Sequence, residues 1–142
     1  MAVIAAWKAG NEFEVQFPQG ERLILNSVPA AERPASGPSP MDAVLAAVAG
    51  CTGIDIVMIL EKMRKPPSRF HMEIHPTRRE EQPRIFTDIE LVYHLEGEDI
   101  TPEAASRAVA LSLDKYCSVA AMLRPTVRLS ARVVLNGEAL AA

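Results

Sequence analysis

The sequence predicts an α+β domain of order β-β-β-α-β-β-α-β, and three observations carry that prediction. Apolar and polar residues alternate early in the chain and again in its second half, the period of half-buried strands. Between them lies Ala43 to Leu60, an almost unbroken apolar run with helix signals at both ends. A second helix-start signal then precedes a last alternating segment. At 142 residues the chain reads as a single domain, 1–142, with no internal repeat.

Met1–Trp7 is expected as an edge strand. Phe13, Val15 and Phe17 alternate with Glu12, Glu14 and Gln16, and Pro18-Gln19-Gly20-Glu21 then turns the chain into Leu23–Leu25. Pro29 to Pro38 is a loop. Ser39 suits an N-cap, Pro40 the first helical position, and Asp42 the acid of a capping box. The helix should run from Pro40 to Arg64, with Lys62, Arg64 and Lys65 complementing its dipole and Pro66-Pro67 ending it. It is apolar on nearly every face and so must be buried on nearly every face. A domain this small can do that by wrapping a sheet around it, by dimerising over it, or by both. Gly50 and Gly53 would admit another backbone, at a propensity cost of about 1 kcal/mol each.

Phe70, Met72 and Ile74 then face one way, with His71, Glu73 and His75 facing the other. The charged Pro76–Pro83 segment is a hairpin-type loop to the longer strand Ile85–Leu95, and Glu96–Asp99 is a turn. Thr101-Pro102-Glu103 opens a second helix through Leu113. This helix continues, or restarts near Asp114, towards Leu123. Val127–Leu135 closes the chain as a strand.

The composition excludes several functions. A net charge of −3 and 5% aromatic residues supply neither a basic face nor a stacking platform for nucleic acid. The apolar run reaches the length of a membrane span, but it holds Asp55 and is rich in Ala and Gly, so no membrane association is expected. The start of the chain lacks the pattern of a secretory signal, which makes the cytoplasm the expected compartment. His71 and His75 would stand about 13 Å apart along a strand and cannot share one ion. The cysteine spacing matches no zinc pattern, so neither a metal nor another cofactor is expected.

Cys51 and Cys117 are the candidates for chemistry. They read either as two structural thiols, since Cys packs as a small hydrophobe, or as a pair cycling between dithiol and disulfide. The second reading requires Cα atoms within about 7 Å, which only a fold can supply. Cys51 lies too deep in its helix for the N-terminal dipole to reach it, and Asp55 sits one turn on. Any cation that activates the thiol must come from elsewhere. Asp55 itself reads as a buried, paired structural acid or as a thiol-tuning partner, and Tyr116 reads as core packing.

Ser39-Pro40-Met41-Asp42, Leu45-Ala46-Ala47 and Gly50-Cys51-Thr52 resemble the central-helix signature of the OsmC/Ohr family, named for osmotically inducible protein C and organic hydroperoxide resistance. Ile54-Asp55-Ile56-Val57 and Leu60-Glu61-Lys62-Met63-Arg64 extend the resemblance. So do Arg78, Pro83–Thr87, Arg107-Ala108-Val109, Leu111-Ser112 and Lys115-Tyr116-Cys117-Ser118. It covers nearly the whole chain and lies nearest the YhfA-like branch.

The resemblance implies an OsmC-like fold, with six-stranded sheets wrapped on paired central helices in an intertwined homodimer and active sites at the subunit interface. It also implies thiol peroxidase activity on organic hydroperoxides, with Cys51 as the attacking thiol, Cys117 as the resolving one, and a thiol reductant closing the cycle. The alternative on the same scaffold is a non-peroxidatic binding protein for a small apolar or thiol-bearing ligand. Two departures from the best-understood members motivate that alternative. Met41 stands where they carry a Glu, and no Arg occurs around Ala9-Gly10-Asn11, Arg22 and Arg33 being the nearest.

Overall fold

The computed structural model describes residues 1–141, which form two compact units, Met1–Ala46 and the remainder from Ala47. In the first, β1 (Ile4–Ala9), β2 (Glu12–Gln16) and β3 (Arg22–Leu25) form an antiparallel three-stranded sheet in the predicted order. The register pairs Trp7 with Phe13 and Val15 with Leu23, so the alternation read from the sequence is the pleat itself. A Cβ on Gly37 would collide with the Ile24 carbonyl oxygen, so only glycine allows the loop this close to β3.

The long helix α1 (Pro40–Lys62) begins in this unit on a capping box. The Asp42 N–H donates to Ser39 Oγ at 3.1 Å, and the Ser39 N–H donates to Asp42 Oδ2 at 3.4 Å. The helix stops two residues before the predicted Arg64, which adopts φ 60° in the turn that follows.

In the second unit the sheet order is β4 (Arg69–Arg78), β5 (Phe86–Glu96), β6 (Arg128–Leu135), β7 (Glu138–Ala139). β4 and β5 are antiparallel, whereas β5 and β6 are parallel. A parallel pair needs a long crossover. Here it comprises α2 (Pro102–Leu111), a π-helical turn at Ser112–Tyr116, and α3 (Ser118–Leu123). The predicted second helix is thus two helices. Thr101 caps α2 by accepting from the Ala104 N–H at 3.1 Å. β7 was not expected, although Asn136 (φ 50°) and Gly137 (φ 84°) are the two residues a tight hairpin prefers.

The core of this unit joins Ile89, Leu91, Tyr93 and Leu95 of β5 to Val48, Thr52, Ile56 and Leu60 of α1 and to Ala104, Ala105 and Ala108 of α2. Burying each large side chain contributes about 1.5–3 kcal/mol. The α1 residues recur every fourth position and so form one stripe. Length and mean hydropathy (2.2) would let α1 cross a bilayer, and one stripe of it is buried in the core of this unit.

Within one chain α1 keeps an open face, with Ile54 63% and Met58 52% exposed, so of the two routes to full burial sheet wrapping alone does not achieve it. Among the described residues no backbone closes on the α1 glycines: a Cβ on Gly53 would meet the Met72 Cε at 2.7 Å, and one on Gly50 meets nothing within 4 Å. The described residues of one chain form sheets of three and four strands, whereas the six-stranded sheets implied by resemblance were those of a dimer.

Candidate functional site

Cys51 and Asp55 sit four residues apart on α1 and therefore share a face. Cys117 arrives from the junction of the π-helical turn and α3. The fold brings one donor atom from each of the three within 4.8 Å of one another. The two residues singled out as a redox pair are therefore neighbours, and both are free thiols.

The π-helical turn is what delivers Cys117. The Cys117 N–H donates to the Ser112 carbonyl at 2.8 Å, five residues back, and the backbone then turns extended at φ −75°, ψ 109°. Arg124 holds the turn from outside, donating to the Leu113 carbonyl at 2.9 Å and to Asp114 Oδ1 at 3.1 Å. From inside, the Ser112 hydroxyl, fully buried, donates to Asp55 Oδ2 at 3.0 Å. That bond ties the crossover to α1 beside the thiols.

The two thiols differ in environment. Cys51 is half-buried, whereas Cys117 is 3% exposed. Burial, reinforced by the neighbouring Cys51, pushes the Cys117 thiol up to about 11, although Sγ accepts from the Ala120 N–H at 3.3 Å. At neutral pH Cys117 is a protonated thiol. Burial likewise pushes the Tyr93 phenol up to about 12, with Cys117 adding to the effect. The Tyr93 hydroxyl makes no hydrogen bond. Its neighbour Thr52 already gives its proton to the Val48 carbonyl at 2.9 Å.

Asp55 is half-buried beside the thiols and accepts the Ser112 hydroxyl, so it is not the buried, ion-paired structural acid that one reading expected. No Lys, Arg or His among the described residues pairs with it within 4.0 Å. Of the two arginines nearest the family position, Arg22 pairs with Glu14 at 3.6 Å and Arg33 with Asp42 at 3.9 Å. A cavity of about 530 Å³ opens beside Asp55, lined also by Met58, Ile59, Lys62, Met63, Leu111 and Tyr116. Tyr116 is therefore not core packing. The turn that buries Cys117 leaves its neighbour 51% exposed, with the Lys115 Nζ 5.3 Å from its ring centre.

The histidines lie on the other face of β4 and β5. His71 stacks on His94 with centroids 4.4 Å apart, and Glu73 Oε2 lies 3.5 Å from Nε2 of both His75 and His94. The nearby His94 and His75 imidazoles hold the Glu73 carboxyl below its usual range. The sequence showed these as separate polar-face residues; the register, which sets His71 opposite His94, joins them.

Residues 33–132 match the family described as OsmC-like protein. The chain belongs to the OsmC-like family. Over 124 residues it is 38% identical to protein YhfA of Escherichia coli K12, a match spanning 87% of this chain and 90% of that one. An OsmC-like protein from Mycoplasma pneumoniae has the same fold, with a TM-score of 0.82 at 14% identity over 94% of this chain and 95% of that one. The organic hydroperoxide resistance protein OhrB of Bacillus subtilis gives a TM-score of 0.64 at 15% identity, covering 94% and 98%. The OsmC-like family thus accounts for the element order, and two cysteines brought close together suit redox chemistry on its fold.

Proposed function

We propose that this OsmC-like chain is a thiol-dependent peroxidase for organic hydroperoxides. The observation that carries the reading is the convergence of Cys51 and Cys117 within 4.8 Å. The Cys51 thiolate attacks the terminal peroxide oxygen, the O–O bond breaks, and the departing alkoxide takes a proton to become an alcohol. Cys51 is left as a sulfenic acid. The Cys117 thiol then attacks that sulfur, a disulfide forms, and water leaves. A thiol reductant returns both sulfurs to thiols.

The disulfide needs its sulfurs at about 2.05 Å, and rotation between staggered rotamers moves a cysteine sulfur by about 3 Å. Side-chain rotation therefore suffices from a starting separation of at most 4.8 Å. Difference in access supports the division of labour, since Cys51 is half-buried and Cys117 almost fully so. The cavity beside Asp55, with Met58, Ile59, Met63 and Leu111 in its lining, suits a hydrocarbon-bearing peroxide better than hydrogen peroxide.

The exposed Ile54 and Met58 support a homodimer in which a second copy covers the open face of α1. Such a copy could also supply a cation to Asp55, which has no basic partner within 4.0 Å among the described residues. The cytoplasm remains the compartment that fits reduced thiols.

Titration of the reduced protein with cumene hydroperoxide tests the reading. Two thiols per chain should be lost, with one intramolecular disulfide formed. Cys51→Ser should abolish consumption, and Cys117→Ser should leave a sulfenic acid that dimedone traps. Retention of both thiols under several-fold excess peroxide overturns the proposal. The same cavity favours a second reading, a binding protein for a small apolar ligand. A co-purified ligand in native mass spectra, together with inert thiols, would select it.

A further inference from the structure

The same three residues have a second chemistry, which no local spacing motif signals. We propose that the reduced chain binds one Zn²⁺ through Cys51 Sγ, Cys117 Sγ and a carboxylate oxygen of Asp55, and that this binding competes with oxidation of the thiol pair.

Zinc–sulfur bonds are about 2.3 Å, so two sulfurs at a tetrahedral angle stand about 3.8 Å apart. The three donor atoms already lie within 4.8 Å of one another, and closing onto an ion takes at most about 1 Å between the sulfurs and about 1.3 Å between each sulfur and the carboxylate oxygen. Two thiolates select a borderline or soft cation over Mg²⁺ or Ca²⁺, which prefer all-oxygen sites. Three protein ligands leave the fourth tetrahedral position for water.

The surroundings are those of a supported site. Ser112 donates to Asp55 Oδ2 and leaves the other oxygen to the metal, while the Ala120 N–H donates to Cys117 Sγ. Charge argues in the same direction. Coordination turns both thiols into thiolates and releases their protons, and with Asp55 the ligand set then carries three negative charges. None of the described basic side chains pairs with Asp55, so a divalent cation supplies the missing positive charge. Coordination draws electron density from the sulfurs and slows their attack on a peroxide, and a disulfide cannot ligate zinc as two thiolates, so oxidation of the pair expels the metal.

The inference needs only reduced thiols and does not rest on the peroxidase reading. The experiment adds Zn²⁺ alone to the reduced, metal-free chain under competition from a chromogenic chelator, with Co²⁺ as the spectroscopic probe. Expected are one metal per chain and a thiolate-to-cobalt charge-transfer band, displaced by Zn²⁺. The band should vanish in Cys51→Ser and after oxidation to the disulfide. Ser112→Ala should keep the band but weaken affinity about 10–100-fold, as loss of a supporting hydrogen bond does. Absence of the band in the wild-type chain, or a band that survives Cys51→Ser, overturns the proposal. Should a variant fail to fold, the wild-type chain compared before and after oxidation still decides. Peroxide titration of the metal-free chain is scored separately, so a chain that oxidises yet gives no cobalt band refutes the zinc site and leaves the peroxidase standing.

Discussion

Raising the pH should expose the asymmetry between the two thiols. Burial holds Cys117 at about 11 against an ordinary 9.0. Well below pH 9 its thiolate fraction is then about 100-fold smaller than that of an ordinary thiol. Iodoacetamide labelling, resolved by peptide mass spectrometry, should find Cys117 modified about 100-fold more slowly than a free cysteine at pH 8, and after Cys51. Its rate should climb tenfold per pH unit until about 11. Stability follows with a definite sign. The folded chain keeps the Cys117 proton where the unfolded chain has lost it, so stability is full below about pH 9 and falls as pH rises towards 11. A hundredfold weaker acid in the folded chain sets the full loss at about 3 kcal/mol, of which about 2 kcal/mol falls between pH 8 and pH 10.5. Urea unfolding at pH 8 and pH 10.5 measures it, and Cys117→Ala should flatten the decline. A labelling inflection at or below pH 9, or Cys117 reacting ahead of Cys51 at pH 8, refutes the reasoning.

Other perturbations follow from packing. Leu60 is fully buried, so Leu60→Ala should cost about 2–5 kcal/mol in denaturant unfolding. Gly37→Ala places a Cβ against the Ile24 carbonyl and should lower the melting temperature, whereas Gly50→Ala, with nothing nearby, should raise it slightly or leave it unchanged. Ile54→Glu with Met58→Glu puts charge on the open face of α1; if a second copy covers that face, sedimentation should shift from dimer to monomer.

Much of the fold was legible because local chemistry and tertiary structure agree. Ser39 and Asp42 read as a capping box and form one, and the alternation of Phe70, Met72 and Ile74 against His71, Glu73 and His75 is the observed inside-outside pattern of β4. What escaped reading depends on contacts distant in sequence. The π-helical turn is held by Arg124 on the Leu113 carbonyl and by Ser112 on Asp55, and neither bond leaves a periodic trace. The turn also explains why Tyr116 is exposed while Cys117 beside it is buried, a reversal that helical spacing cannot show. Asn136-Gly137 was a readable hairpin signal; only the shortness of β7 hid it. The donor cluster itself draws on two helices, so spacing within either one is silent about it.

Position and burial together also fix the order of events in the proposed chemistry. A hydroperoxide that first met Cys117 would have to enter a site only 3% exposed and find a protonated sulfur there. Cys51 presents an accessible sulfur in that same cluster and so is the one to be oxidised first. The properties that make Cys117 a poor first nucleophile suit it to the second step. Its proton can leave with the sulfenic hydroxyl as water, and its closeness lets the disulfide form before a second peroxide carries the Cys51 sulfenic acid on to the irreversible sulfinic acid. Zinc acts earlier in the same sequence, because it needs both sulfurs reduced and Asp55 in place. Peroxide and metal therefore read one arrangement, and Ser112, by holding Asp55 beside the thiols, is the residue on which that arrangement turns.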